Sequence, residues 1–135
     1  MGSKIFMKFG NLKGEATLPS HVGWVELDSF HLTSGRSVSH ETGRTNRDIS
    51  TPSFAPISVT KKMSLSSQQI FTECVSGHGT LCEIHFISGG EKPAPYMTYK
   101  LENAALINYS LLHNSRISEP KEHFEISYTR MDSVY

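Results

Sequence analysis

Apolar residues recur at every second position in several separate stretches of this chain. That period fits β-strands with one face in a core and the other in water. Ile57, Val59, Met63 and Leu65 share one parity, against Ser58, Thr60, Lys62 and Ser64 on the other. Lys61 is the exception, a charge set on the apolar face. Cys82, Ile84 and Phe86 alternate within 81–88, and Phe124, Ile126 and Tyr128 stay in phase within a closing strand at 123–131. Residues 4–9, closed by Gly10, read as a first strand; 96–102 and 104–112 read as two further strands or one long bent one. The stretch 24–33 carries a fault. Val25 and Leu27 lie on one face, but Phe30 and Leu32 fall on the opposite parity. A regular strand cannot switch its apolar face, so a bulge near Asp28–Ser29 is predicted, and such a bulge bends a strand as barrel closure requires.

One segment has a helical period instead. Ser66 with Gln69 three residues on forms a capping box, and Leu65 and Ile70 are spaced for a hydrophobic staple. Ile70, Phe71, Cys74 and Val75 then make an apolar stripe, and Gly77 is placed to end the helix. A helix of about ten residues does not hold alone in water, so its stripe must cover sheet. Between 34 and 56 the chain is rich in Ser, Thr, Gly and Arg and shows no period; it reads as a long loop, of the kind that is functional or orders against something else. The residues therefore predict a mainly β, single-domain chain (1–135) with one short α-helix at about 66–76.

At 135 residues the chain has length for one domain, with roughly two-thirds of its surface buried on folding. Thirteen Lys plus Arg balance thirteen Asp plus Glu, so no field draws nucleic acid or an anionic membrane, and little charge opposes self-association. Two cysteines, Cys74 and Cys82, make no disulfide framework and suit a reducing compartment. No apolar run approaches a membrane span, and the N-terminus lacks the apolar core of a signal peptide.

A search for chemistry finds no catalytic set. Nucleophile elbow, phosphate loop, His-Glu-x-x-His and Cys-x-x-Cys are all absent. The histidines (21, 31, 40, 78, 85, 113, 123) include no close helical pair and read as scattered loop and surface residues. His78, between Gly77 and Gly79, sits where a helix must turn into a strand. Cys74 reads as a small hydrophobe on the helix stripe. Trp24, the only tryptophan, opens a strand and reads as packing on a barrel rim. Catalytic, cofactor and metal residues are expected to be none.

Several collinear segments resemble the haemolysin-coregulated protein (Hcp) family of type VI secretion tube proteins. They are Ile5-Phe6-Met7-Lys8-Phe9-Gly10 with Gly14-Glu15-Ala16; His21 with Trp24-Val25-Glu26-Leu27-Asp28-Ser29-Phe30-His31-Leu32; Pro56 to Ser64 followed by Gln69 to Gly77, with its Cys-x-x-Gly end; Tyr96 to Ala104; and Glu122 to Met131. No one segment is specific, and the ordered set is. The resemblance implies a two-sheet antiparallel β-barrel with the helix capping one side, in subunits that form homo-hexameric rings. Those rings stack into a tube inside a contractile sheath, tipped by a spike protein and ejected with effectors. It further implies synthesis in the bacterial cytoplasm and secretion without a cleavable signal peptide, no enzymatic activity and no cofactor. A bacteriophage tail tube protein and a monomeric ligand-binding barrel are the alternatives.

The resemblance also assigns places. The second strand faces the pore in the family, which makes Ser29 and His31 pore-lining. Phe30, His31 and Leu32 stand where the family usually has two Trp around a small residue, so His31 adds a titratable group there. The long loop reaches neighbouring rings in the family, which puts Arg36, His40, Arg44, Arg47 and Asp48 at a ring or stacking interface.

Overall fold

The computed structural model describes residues 3–35, 38–39, 48–49, 53–116 and 118–135. Along the chain run β1 (Lys4–Phe9), a 3-10 turn (Pro19–His21), β2 (Val25–Leu27), β3 (Ser29–His31), β4 (Ser34–Gly35), β5 (Val38–Ser39), β6 (Asp48–Ile49), β7 (Ser53–Phe54), β8 (Ile57–Lys62), α1 (Ser67–Ser76), β9 (Thr80–Ile87), β10 (Pro95–Leu112), β11 (Lys121–Ser127) and β12 (Arg130–Val134).

The alternating segments pair antiparallel in the order β2-β1-β9-β10-β11-β8-β3, with β12 on the side of β10. The first and last strands of that path, β2 and β3, are separated in the chain by Asp28 alone. The Asp28 amide donates to the Thr60 carbonyl at 2.7 Å, so the sheet's two ends are halves of one kinked strand. This is the predicted bulge. Val25 and Leu27 are buried on its near side, and Phe30 and Leu32 pack against the same core from the other parity. Phe30 stacks on Tyr99 of β10 and meets the edge of Phe86 of β9, both centroids at 5.1 Å, which bridges the two halves of the sheet with aromatic rings. Met7, Ile57, Val59, Ile84, Leu106 and Phe124 fill the interior.

β10 is one strand of 18 residues, not two. Its first part pairs with β9 and β12, and its second part with β11. Register breaks fall between Leu101 and Ala104 on one side and between Ile107 and Ser110 on the other. Asn103 and Asn108 take left-handed φ values of 50° and 52° there. Asparagine tolerates that region better than other non-glycine residues, and the resulting bulges let one strand pair with β9 and β12 over its first part and with β11 over its second.

The single closing strand expected at 123–131 is instead a hairpin. β11 ends at Ser127, and β12 folds back along β10, with the Thr129 amide held by the Glu102 carbonyl at 3.1 Å. Tyr128 kept the apolar phase through the turn because its ring is buried, 8% exposed, although it belongs to no strand. Within the stretch 34–56, expected to be a loop, the described residues include two short ladders. Ser34–Gly35 pairs with Ser53–Phe54, and Val38–Ser39 pairs with Asp48–Ile49.

The helix forms where its period predicts, over Ser67–Ser76, but starts differently. Ser66 makes no capping bond, because its backbone is already helical (φ −79°, ψ −9°) and its hydroxyl meets Ser64 at 3.0 Å and Glu15 at 3.4 Å. The staple fails as well: Ile70 is buried, while Leu65 is 88% exposed. Only half of the apolar stripe is covered. Ile70 and Cys74 face the sheet, and Phe71 and Val75 are exposed. Gly77 ends the helix as expected, at φ 69° with its amide on the Glu73 carbonyl.

Lys61, the charge out of place in the alternation, is fully buried and pairs with Glu122 of β11 at 2.7 Å. Its ammonium also donates to the Lys62 carbonyl at 2.7 Å and to Ser64 Oγ at 2.9 Å, which uses all three donors. Glu122 Oε1 accepts in addition from Ser67 Oγ of α1 at 2.6 Å, and Oε2 accepts from the Tyr109 hydroxyl of β10. Removing one member leaves a buried charge without its partner. Lys61→Met is therefore expected to lower unfolding free energy by about 3–5 kcal/mol, and Lys61→Met with Glu122→Leu to recover most of that loss; urea denaturation of the two variants measures it.

Candidate functional site

The alternation that buries one face of β8 and β11 leaves the other face polar, and β3 extends it. Cross-strand register lays two rows over this face. One runs Ser29, Thr60, His123 and Ser110; the other runs His31, Ser58 and Glu125. Ser29 Oγ and Thr60 Oγ1 share a hydrogen bond of 2.5 Å. Glu125 accepts from Asn108 Nδ2 at 2.6 Å and from Ser58 Oγ at 3.5 Å. Ser29 and His31 are exposed at the rim of the patch. Both of the residues expected to line a pore thus lie together on one hydroxyl-rich, water-facing surface. Side chains of this kind hold water in place without offering an apolar grip.

The expected interface residues Arg36, His40, Arg44 and Arg47 lie outside the described residues. Asp48 lies in β6, where its backbone pairs with Ser39.

Among the described residues, other candidate chemistry does not assemble into a catalytic set. His78 is exposed in the turn after Gly77, beside a shallow cleft lined by Asn11, Gln69 and Glu73. Burial pushes the Cys74 thiol up to about 11, with help from Glu73 and Glu122, and raises Cys82 further still. A thiol at that value carries on the order of 100-fold less thiolate than an ordinary one, so neither is a ready nucleophile. Among the described residues, no three His, Cys, Asp or Glu side chains gather as metal ligands. No helix there is long and apolar enough to cross a membrane.

Two histidines read as scattered prove to be neighbours. His21, 4% exposed, and His85 of β9 share a hydrogen bond of 2.9 Å between Nε2 and Nδ1. Trp24 packs at 4.6 Å from each ring, so it does sit in a packed position, as part of this cluster. Sequence spacing gave no sign of the pair, because 64 residues separate its members.

The sheet order, the bent shared strand and helix α1 are the features by which this fold can be compared. The model of one family, described as type VI secretion system effector, Hcp, matches residues 6–135. The chain belongs to the Hcp family. Solved structures agree on the fold. One described as a type six secretion system protein superposes with a TM-score of 0.84 at 20% identity, covering 96% of this chain and 82% of its own. Hcp1 from Salmonella typhimurium gives 0.78 at 19% identity, covering 100% and 87%, and Hcp1 from Flavobacterium johnsoniae gives 0.70 at 11%, covering 96% and 94%. Comparison with curated proteins gave no match. At identities of 11–20% the likeness to these structures is one of fold.

The polar face is expected to contribute little to stability. Ser29→Ala with His31→Ala should shift unfolding free energy by no more than about 0.5 kcal/mol per site, measured in urea. The thiols give a separate check. Iodoacetamide at pH 8 should modify Cys74 far more slowly than a free thiol and spare Cys82 until urea unfolds the chain.

Proposed function

We propose that this Hcp-family chain is the ring-forming subunit of the inner tube of a type VI secretion system. Copies close into a homo-hexamer by a heterologous interface, and the rings stack and carry effector proteins. The family match over residues 6–135 is the observation that carries this reading. The surfaces agree with it. Ser29, His31, Ser58 and Thr60 suit the wall of a wet lumen, where cargo must be held and then released. Phe71, Val75 and Leu65 are 52%, 73% and 88% exposed around α1, more apolar surface than one short helix usually leaves in water. Balanced charge adds no long-range repulsion between copies.

On this reading the sheath surrounds the tube, the spike protein tips it, and the chain is made in the cytoplasm and exported through the apparatus. It acts by assembly and catalyses nothing. A monomeric ligand-binding barrel fits less well, because the interior is filled by fully buried side chains such as Met7, Ile57, Leu101 and Leu106.

Electron microscopy of the purified protein is expected to show rings with an open centre. A monodisperse monomer across micromolar concentrations, without rings, would overturn the assembly reading. Deleting residues 43–48 should weaken stacking in a secretion-competent strain while leaving the circular dichroism of the purified protein unchanged. Unaltered tube formation by that variant would remove the segment from the interface.

A further inference from the structure

The segment between β1 and β2 is fastened to the outside of the sheet by side chains more than by backbone. Its own amides close on itself: Gly14 to the Gly23 carbonyl at 2.7 Å, Ala16 to Trp24 at 2.9 Å, and Gly23 to Ala16 at 3.0 Å. Gly14 is required there, since a Cβ would fall 2.3 Å from the Trp24 carbonyl oxygen. Ala16, Leu18 and Trp24 cover Phe6 and Ile87, a small apolar cluster separate from the main core. His21 stacks on Phe6 at 5.5 Å and reaches across to His85.

Hydrogen-bond accounting fixes what this arrangement tolerates. With both rings neutral and the His85 proton on Nε2, the side of Glu83, the Ser20 hydroxyl donates to His21 Nδ1 at 2.7 Å, and His21 Nε2–H donates to His85 Nδ1. The remaining His85 Nε2–H then faces Glu83 at 4.0 Å. One added proton reverses the direction of the chain without breaking it. A second sets two N–H groups and two positive charges against each other at hydrogen-bond distance.

We infer that His21 and His85 form a proton-operated latch, which holds residues 15–24 on β1 and β9 near neutral pH and releases them when both rings are charged. Burial lowers the affinity of both histidines for protons, and for His85 the charge of His21 adds to that effect while Glu83 opposes it. The unfolded or released segment therefore binds more protons below the ordinary histidine value of about 6.5. The closed latch stabilises fully above that pH and loses its contribution as pH falls through the lowered values. Lys8 of β1 and Lys100 of β10 lie opposite Glu83 in the register, and Glu26 of β2 pairs with Lys4 at 3.7 Å. Glu83 and Glu26 thus have cations nearby, and Glu15, at the start of the segment, accepts from the Ser64 and Ser66 hydroxyls, which limits how far these carboxylates can favour a charged His85. The inference is independent of the tube reading.

Trp24, the only tryptophan, reports on the segment directly. Its emission should shift to the red below pH 6.5 with a slope steeper than one proton, and amide exchange should quicken within 15–24. Far-UV circular dichroism and the amides of β9 and β10 should hold. In His85→Gln the amide oxygen still accepts from His21 but takes no proton, so the transition should flatten to that of one histidine. Unchanged emission and exchange down to pH 5, loss of the whole sheet at the same pH, or an identical transition in His85→Gln would each overturn the latch. If His85→Gln fails to fold, ring NMR of the unaltered protein decides: coupled titration below 6.5 supports the latch, and two independent titrations near 6.5 overturn it.

Discussion

Taking Lys61 and Glu122 out of water costs several kcal/mol for each ion, and the fold meets that cost by coordinating both completely. The pair joins β8 to β11, Ser67 brings in the start of α1, and Tyr109 brings in β10. Glu15 enters through Ser64, which is itself a partner of Lys61. Burial and the bond to Glu122 push the Tyr109 hydroxyl well above its usual range, so it stays a proton donor to the carboxylate. Lys61 and Glu122 stand directly opposite each other in the register of β8 and β11, so one saturated pair ties two strands, β10 and the start of α1 at a single point.

Much of the fold was legible because its strands each bury one face. The parity switch between Leu27 and Phe30 located the bulge, and the structure shows its purpose: one strand completes both ends of the sheet. Lys61 was visible as an anomaly, but its partner was not, since no local pattern points from residue 61 to residue 122. The capping box misled because a serine hydroxyl has other options. Glu15, distant in sequence, offered Ser66 a partner that its own helix did not need. The final hairpin was hidden by Tyr128, whose burial continued the apolar phase through a turn. The ladders within 34–56 were too short for any period to register.

The candidate surface was legible only in part. Ser29 and His31 were placed by family resemblance, and the structure puts them in register with Thr60 and Ser58 on one polar face. What makes that face is the same alternation that makes the core, read from its other side. The histidine pair had no sequence signal, because a 3-10 turn and a distant strand meet only in the folded chain. Trp24 was read as packing on a barrel rim, and the structure packs it against the two imidazoles.

The separation of Lys61 from Glu122 along the chain also orders events in time. The two residues are 61 positions apart, and α1 lies between them with no side-chain cap of its own. As the polypeptide leaves the ribosome, β8 and the helix emerge while the carboxylate that will neutralise Lys61 has yet to be synthesised. Until β11 arrives, a desolvated lysine would stand alone, so β8 has every reason to remain hydrated and unpaired. A nascent chain truncated before residue 122 lacks the carboxylate that makes burial of Lys61 in β8 acceptable.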